Sequence, residues 1–379
     1  MSKTRVLVVG ASVAGPTAAY WLAKAGADVT VIERFPELRT SGQGIDIRTV
    51  GVTVMRRTPG MEAAVRAKFT GMEGMSFVRE DGRPYGTLTA TGDPDQQSLV
   101  SEYEIFRGDL ARILYDMTKD NENIRYIFGE QVAAMRQDGK EDGPITVEFA
   151  NGLPTSEYDL VVACDGATSR TRAMGLSCGV RDHIRSSNAW ATYFSVRQDL
   201  LQGSKIAQAT TAVGGRFVGV GPDPSGVNRI AMMRFHPSDG SDATLPFREA
   251  LKKGDQALKG FVTQQFKGMG WKTEEILKNM MESDDFYGSE VVHVKCPVVY
   301  KGRFVMVGDA GYAPGLTGGG TSLALAGAYV LAGEICTQRN DLAAALQNYQ
   351  ERMKPIIEDL QTVPPLITAI MAPQTAWGI

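Results

Sequence analysis

Histidine and cysteine are scarce in this chain of 379 residues, which limits the metal chemistry that it can support. The chain has three histidines and four cysteines. The cysteines lie far apart in the sequence and no two of them have metal-ligand spacing: Cys164, Cys178, Cys296 and Cys336. We therefore expect no metal site, and unpaired thiols of this kind favour a reducing compartment.

Long apolar runs and a strong excess of charge are also missing. No stretch has the roughly 20 consecutive apolar residues that span a membrane, and no secretion signal is visible before residue 6. A formal net charge of -3 gives no reason to expect a nucleic acid partner. We expect a cytoplasmic, monomeric protein. Residues 364–379 are apolar; packing against the core is favoured there, with membrane contact as the alternative.

The N-terminal segment has the pattern of a dinucleotide-binding turn. Residues 6–9 predict a buried strand, residues 10–15 a glycine-rich turn, and residues 16–25 an apolar helix. A second strand, residues 28–32, ends at Glu33, roughly 20 residues after the glycines. A pyrophosphate lies on the helix N-terminus of such a unit, and the acid accepts a hydrogen bond from a ribose hydroxyl. A plain strand-to-helix turn is the alternative, but the flanking strands and Glu33 favour a dinucleotide.

Two later segments also lead from an apolar strand into a polar turn. Residues 160–164 precede Asp165, and residues 304–307 precede the pair Gly308 and Asp309. Three glycines at 318–320 then lead into an apolar helical stretch. An acid at a strand end, followed by a glycine-rich loop and a helix N-terminus, is typical of a cradle for a large cofactor.

Taken in order, these segments resemble the class A flavoprotein aromatic hydroxylases. Gly-x-Ser-x-x-Gly at 10–15, Asp-Gly-x-x-Ser-x-x-Arg at 165–172 and Gly-Asp-Ala at 308–310 follow one another as they do in that family. Three further segments are similar to the branch that includes tetracycline-inactivating monooxygenases: 282–287, 308–312 and 325–334. The similarity covers nearly the whole chain, and three ordered motifs are far more specific than one.

The resemblance implies an FAD site whose residues come from both ends of the chain. Gly10, Ser12 and Gly15 would hold the pyrophosphate, although Ser12 stands where a second glycine is usual. Glu33 would bind the adenosine ribose, and Arg34 would lie on the adenine side. The other implied FAD contacts are Arg107 at the flavin and pyrophosphate, Asp165 and Gly166 in a capping loop, Gly308, Asp309 at the ribityl chain, and Gly318, Gly319 and Gly320 against the isoalloxazine ring. The loop from 309 to 320 is one residue shorter than the family pattern.

The resemblance also implies an α/β fold with a discontinuous, Rossmann-like FAD-binding domain over residues 1–175 and 296–338. Gly/Pro/Asp turns between the apolar segments 189–196, 216–220 and 229–235 favour a largely β-sheet substrate domain over 176–295. A C-terminal helical segment would cover 339–379, with an amphipathic helix over 342–360 that is broken near Pro355.

The activity that the resemblance implies is that of an FAD-dependent monooxygenase. NAD(P)H would reduce FAD, and one atom of O2 would enter an aromatic or enolic small molecule through a C4a-hydroperoxyflavin. The chain has no second glycine-rich unit for a nicotinamide, no interpretable Ser/His/Asp set and no paired carboxylates in a recognisable motif, so the flavin must carry the reaction. Secondary metabolites, tetracycline antibiotics among them, are suitable substrates.

Other outcomes on the same fold stay open. These are Baeyer-Villiger insertion, epoxidation, a reductase that does not use oxygen, and a binding protein without catalysis. Halogenation is disfavoured because the Trp-x-Trp-x-x-Pro signature is absent. A pure scaffold is disfavoured because it would need none of Glu33, Arg107, Asp165 or Asp309.

Substrate residues are expected on the middle sheet. Tyr193, Arg216 and His236 are the candidate catalytic residues, and His236 is the acid/base candidate, against the alternative of a surface histidine at a strand end. Met233 and Asp46 are candidate substrate contacts. Tyr287 is interpreted as part of a structural turn.

Overall fold

A computed structural model describes residues 3–40, 42–93, 96–98, 100–137, 143–237, 242–338 and 341–362 of the chain. Its strands are β1 Arg5–Val9, β2 Asp28–Glu33, β3 Gly44–Asp46, β4 Gly74–Val78, β5 Pro84–Thr89, β6 Glu104–Phe106, β7 Ile124–Phe128, β8 Val132–Gln137, β9 Ile145–Phe149, β10 Ser156–Tyr158, β11 Leu160–Ala163, β12 Ile184–Val196, β13 Ile206–Ala212, β14 Arg216–Pro222, β15 Asn228–Phe235, β16 Tyr287–Val294, β17 Tyr300–Lys301 and β18 Phe304–Met306. Its helices are α1 Ala14–Lys24, α2 Val50–Arg57, α3 Met61–Ala67, α4 Arg107–Asp116, α5 Arg170–Leu176, α6 Leu245–Lys252, α7 Asp255–Phe266, α8 Thr273–Glu282, α9 Asp309–Tyr312, α10 Gly320–Gln338 and α11 Leu342–Leu360. The predicted α/β class is confirmed.

The first sheet explains why three distant sequence segments meet. Its strand order is β17-β18-β11-β1-β2-β7, and every pair except β17 with β18 is parallel. All four residues of β11 are buried, and so are four of the five in β1, as expected for parallel strands covered on both faces. Because the strands run the same way, the turns after β1, β2, β11 and β18 lie along one edge of the sheet.

The second sheet has seven strands in the order β16-β12-β15-β14-β13-β4-β5. Strands β4 and β5 belong to this sheet, with β4 parallel to β13; they lie in the stretch around 42–105 that the sequence shows as an interruption of the FAD-binding segment 1–175. The boundary expected at residue 175 therefore does not separate the two sheets. A separate apolar core lies between this sheet and helices α6 to α8, centred on the buried Trp190, Phe247 and Phe266.

The two long C-terminal helices pack against each other; α10 also packs against α1 and α2, and α11 contacts β17 at the edge of the first sheet. Helix α10 is apolar and long enough to cross a membrane by composition alone, but 56% of its apolar window is buried inside the protein. Helix α11 continues through Pro355, so the predicted break is wrong. Pro355 is exposed, so water can reach the carbonyl that a proline leaves without a donor. The apolar segment 364–379 lies outside the described residues.

The end of α11 fixes the loop before α10. Gln361 Nε2 donates to the carbonyl oxygens of Val294, Tyr312 and Ala313 at 3.0, 3.3 and 3.2 Å. Thr317 Oγ1 donates to the Leu360 carbonyl at 2.7 Å. The last described turn of the chain thus holds the loop that follows α9.

Arg172 is a buried cation that joins two of the turns at the sheet edge. Its side chain is 0% exposed. The guanidinium donates to the carbonyl oxygens of Ala310, Ala167 and Val180 at 2.8, 2.9 and 2.7 Å. The planar guanidinium of arginine carries its N–H donors on separate nitrogens, so it can reach three carbonyl oxygens that a lysine ammonium cannot.

We expect Arg172→Lys to lower the free energy of unfolding by about 2–4 kcal/mol, because at least one buried carbonyl loses a charged donor. Chemical denaturation of the FAD-free protein measures this difference. The matched control is Arg170→Lys, an exposed position on the same helix, for which we expect a change within about 0.5 kcal/mol. Equal stability of the two variants would contradict the bridging role of Arg172.

Candidate functional site

The glycine turn, residues 10–15, has no room for side chains at its two outer glycines. Gly10 has φ +108, and a Cβ atom there would lie 2.6 Å from the Cys164 carbonyl oxygen. A Cβ at Gly15 would lie 1.8 Å from the Gly10 carbonyl oxygen. Helix α1 begins at Ala14, so its unpaired backbone N–H groups face this turn. The predicted turn is present, and its geometry suits a bound pyrophosphate.

Glu33 lies at the end of β2, beside the glycine turn. Its carboxylate accepts hydrogen bonds from the backbone nitrogens of Ala11 at 2.9 Å and Phe35 at 3.1 Å. These contacts fix the side chain between two turns of the sheet edge. Its contact with the adenosine ribose stays a prediction.

Arg107 is the first residue of α4, and its side chain contacts the glycine turn. Its Nη2 atom donates to Ser12 Oγ at 2.7 Å. Gly108 is needed next to it, because a Cβ there would lie 1.8 Å from the Thr40 carbonyl oxygen. The predicted Ser12 and Arg107 are therefore in contact across 95 residues of sequence.

Two more arginines, Arg34 and Arg39, lie in this region, and Arg39 is an electrostatic neighbour of Arg107. The guanidinium carbons of Arg34 and Arg39 lie 4.8 and 4.9 Å from the Phe35 ring centroid. Burial lowers the pKa of Arg39, and the charges of Arg107 and Arg34 lower it further. Arg107 at the glycine turn, with Arg39 close enough to affect it electrostatically, favours a phosphate-bearing ligand. Sequence reasoning missed Arg39, because no motif marks it.

Gly308 and Asp309 bring the end of β18 to the same place. Gly308 has φ +71, and a Cβ there would lie 3.0 Å from the Ala14 side chain. Asp309 is exposed to solvent at this edge. Reduced hydration raises the pKa of Asp309, and Arg107 acts in the opposite direction. The predicted Arg107 and Asp309 are thus electrostatic neighbours.

The three glycines at 318–320 lead into α10, whose first residue is Gly320. Residues 315–317 make a single 3-10 turn, Gly318 has φ +75, and α10 begins at Gly320. A Cβ at Gly320 would lie 3.4 Å from Asp309 Oδ1. Gly320 is therefore next to Asp309, and the contact of Gly318, Gly319 and Gly320 with an isoalloxazine ring stays a prediction.

Asp165 lies at the sheet edge but its carboxyl is used within its own loop. It accepts hydrogen bonds from Ser169 Oγ, from Thr171 N at 3.2 Å and from Thr171 Oγ1 at 2.9 Å. Burial raises the pKa of Asp165, and these donors partly offset that effect. With Gly166 at φ +84, the carboxyl shapes the predicted capping loop; direct contact of either residue with FAD stays a prediction.

A cavity of about 910 Å³, including its open mouth, lies between the second sheet and the β3–β6 pair. Aromatic side chains line it, among them Phe106, Tyr193 and Tyr287. The rings of Tyr193 and Tyr287 stack with centroids 6.3 Å apart. Tyr287 is therefore part of the cavity wall, which the sequence did not predict. Burial raises the pKa of the Tyr193 phenol well above its usual range, so this residue is neutral at ordinary pH.

The other predicted substrate residues do not line this cavity. Arg216 begins β14, and its Nε donates to the Val213 carbonyl at 3.1 Å. Met233 packs in a small apolar cluster on β15. His236 follows β15, and its backbone nitrogen donates to the Asn188 carbonyl at 2.7 Å. Asp46 is not on the cavity wall, but it pairs across the β3–β6 ladder with Glu104, which lines the cavity. Their roles stay predictions.

No metal-binding cluster is present in the part of the chain that was described. Groups of three or more His, Cys, Asp or Glu with suitable positions are not found among those residues. The four cysteines carry no disulfide. The convergent groups of the site are therefore the arginines and carboxyls of the sheet edge.

Comparison with known proteins agrees with this geometry. A family model described as an FAD binding domain matches residues 3–362. An FAD-dependent monooxygenase of Sarocladium schorii is 33% identical, with 100% of this chain and 90% of that protein covered. A flavin-dependent monooxygenase of an unknown prokaryotic organism is also 33% identical, with 93% of this chain and 86% of that protein covered. The crystal structure of tetracycline destructase Tet(55) has a TM-score of 0.78 at 31% identity, over 95% of this chain and 87% of that chain.

We expect Gly15→Ala to reduce FAD retention strongly, because its methyl group would occupy the position of the Gly10 carbonyl and deform the turn. Overpacking of this kind costs about 1–3 kcal/mol. Isothermal titration of the FAD-free protein with FAD measures the effect. Gly333→Ala is the control, since nothing lies within 4 Å of a Cβ there. Unchanged FAD affinity in Gly15→Ala would contradict the role of the turn.

We expect Asp309→Ala to weaken FAD binding by about 1–3 kcal/mol, as for the loss of a charge-assisted hydrogen bond. The dissociation constant for FAD, measured by recovery of flavin fluorescence, reports the change. Asp116→Ala, an exposed surface position, serves as the control. If both variants keep the FAD affinity of the parent protein, the assignment of Asp309 is wrong.

Proposed function

The chain belongs to the FAD-dependent monooxygenases that share this FAD binding domain, and we propose that it uses NAD(P)H and O2 to insert one oxygen atom into an aromatic or enolic small molecule. In the balanced reaction, NAD(P)H supplies two electrons, one oxygen atom enters the substrate and the other leaves as water. The resemblance drawn from the sequence, to aromatic hydroxylases and to their tetracycline-inactivating branch, is confirmed. The oxygen-transfer route given with that resemblance is part of the proposal.

The observation that carries the proposal is the junction between the cofactor cradle and the aromatic cavity. Gly42 lines the cavity, and a Cβ at Gly42 would lie 3.0 Å from the Arg107 Cβ. Tyr287 lines the cavity as well, and the Arg39 guanidinium lies 5.6 Å from its ring centroid. Two arginines of the phosphate-binding region therefore adjoin the cavity wall.

The residues present fit FAD. The glycine turn with Arg107 and Arg39 suits the diphosphate, Glu33 suits a ribose, Arg34 suits the adenine side, and Asp309 with the 318–320 glycines suits the ribityl chain and ring. When bound, FAD accepts electrons from NAD(P)H and activates O2. The chain binds and orients the substrate, and its aromatic cavity wall limits the access of water.

The cavity favours flat, hydroxylated substrates. Phe106, Tyr193, Phe217 and Tyr287 present ring surfaces, while Arg229 and Glu104 are among the polar groups on the wall. Since Tet(55) is named a tetracycline destructase, tetracyclines are one candidate class, and phenolic or enolic polyketide-type metabolites are another.

The expected cytoplasmic location and monomeric state remain predictions.

We expect FAD-loaded protein to consume NADH or NADPH faster when a suitable phenol or enol is added. The assay panel contains resorcinol, orcinol and tetracycline, and both nicotinamides are tested. Under isotopically labelled O2, the product should be heavier by one labelled oxygen atom, as mass spectrometry shows directly.

The same assay separates the alternatives. A product without labelled oxygen would indicate a reductase. A lactone or an epoxide would indicate Baeyer-Villiger insertion or epoxidation. Nicotinamide oxidation that no phenol or enol changes would contradict the proposed function.

A further inference from the structure

Two carboxyl groups face each other on the small sheet that borders the cavity. Strands β3 and β6 are antiparallel, and Asp46 is directly opposite Glu104. Opposed residues of an antiparallel pair point to the same face, with Cβ atoms about 5 Å apart. This pairing joins residues 58 positions apart, so the sequence motifs did not reveal it.

Asp46 is held by the nearby cation Arg48. Arg48 donates from Nε at 3.1 Å and from Nη2 at 2.9 Å to Asp46 Oδ2, and from Nη1 to the Ser98 carbonyl. The backbone of Arg48 is held by Ser322, whose Oγ accepts from Arg48 N at 3.0 Å and donates to Arg48 O at 2.8 Å. The guanidinium is therefore fixed on Asp46 instead of Glu104.

The Glu104 carboxyl lines the cavity and keeps a buried oxygen without a partner. Among the described residues, no hydrogen bond reaches Glu104 Oε2. Gln43 Oε1, on the wall of the same cavity, is also buried without a hydrogen bond there. A buried polar atom left without a partner costs roughly 1–3 kcal/mol. Two such atoms on one wall indicate a place for a polar group of a ligand.

The charges around Glu104 favour its protonated form. Burial, and then the Asp46 carboxylate, raise the pKa of Glu104 to about 8, while Arg48 acts in the opposite direction. Tyr193, Tyr287, Arg229 and Asp285 also line the cavity. Arg229 is held by Asp285 at 3.2 Å and by Asp223 at 2.7 Å, so its charge is balanced locally.

We propose that the Glu104 carboxyl binds a hydroxyl group of the substrate and accepts its proton during oxygen transfer. This inference rests on the proposed function and assigns a catalytic residue to it. Asp46 is then a positioning residue, because its charge acts on Glu104 and its own carboxyl is occupied by Arg48.

The proton and electron balance is simple. The substrate O–H bond breaks, the proton moves to Glu104 Oε2, and the electron pair stays on the substrate oxygen. The neighbouring ring or enol carbon gains electron density and forms the new C–O bond with one oxygen atom derived from O2; the O–O bond breaks, and the second oxygen atom leaves as water with the two electrons that NAD(P)H supplies. The carbon then loses its hydrogen to solvent as a proton, and Glu104 returns its proton to the substrate oxygen.

This role sets the direction of the pH dependence. Only the carboxylate form of Glu104 accepts a proton, and its share rises as the pH increases toward about 8. We therefore expect kcat/KM of the wild type to rise with pH up to that value and then to level off. General-base catalysis contributes about 10²–10⁴-fold in rate.

Infrared spectroscopy of the FAD-loaded protein tests the carboxyl directly. The Asp46, Asp165 and Asp309 carboxyls also have raised pKa values and contribute to the C=O band of protonated carboxylic acids. The wild type should show one component of that band that is lost as the pH passes about 8. This component should be missing from the difference spectra of Glu104→Gln and present in those of Glu157→Gln, an exposed glutamate on β10; its absence in the wild type would overturn the proposal.

Steady-state kinetics test the catalytic role. Glu104→Gln should bind FAD as the wild type does, lose about 10²-fold in kcat with little change in KM, and lose the rise with pH. If the wild type is active but Glu104→Gln keeps its rate and pH profile, the role of Glu104 is wrong. If no phenol or enol stimulates the wild type, the proposed function itself fails.

Discussion

Parallel pairing of β1 with β2 and β11, and of β11 with β18, is the constraint on which the site depends. It aligns the carboxyl ends of strands that are far apart in the sequence. The glycine turn, Glu33, Asp165 and Asp309 reach one edge for this reason alone. The close approaches then follow: Gly10 lies against the Cys164 carbonyl, and Gly308 against Ala14. Neither position can accept a side chain without moving a neighbouring strand end or helix.

Charge is distributed unevenly along this edge. The cradle side has three arginines near Glu33 and Asp309, whereas the cavity side has carboxyls with raised pKa values at Asp46 and Glu104. The first arrangement suits phosphates, and the second suits exchange of a proton with a neutral ligand. The arginine-rich side and the carboxyl side of the edge adjoin where Gly42 lies against Arg107. A cofactor and a substrate with opposite electrostatic needs can therefore be adjacent without sharing the same side chains.

The sequence predicted what is encoded locally and missed what depends on pairing at a distance. The glycine turn, Glu33 and the Gly308–Asp309 turn were predictable, because each has its own strand before it or helix after it. The placement of β4 and β5 in the second sheet, and of Asp46 opposite Glu104, follows from inter-strand register, which no local pattern encodes. Arg39 and Tyr287 became recognisable only when their neighbours were known. The helix break predicted near Pro355 was wrong, because the helix face is exposed there and tolerates the loss of the proline's backbone N–H donor.

The clamp formed by Leu360 and Gln361 has a consequence for biosynthesis. The loop between α9 and α10 is held from two sides: β16 pairs with Ala313 and Pro314, and the end of α11 bonds Thr317, Tyr312 and Ala313. Because β16 precedes the loop and α11 follows it, the loop meets β16 first during synthesis and the end of α11 last. A chain that stops before α11 would keep the contacts with β16 and lose those with Leu360 and Gln361.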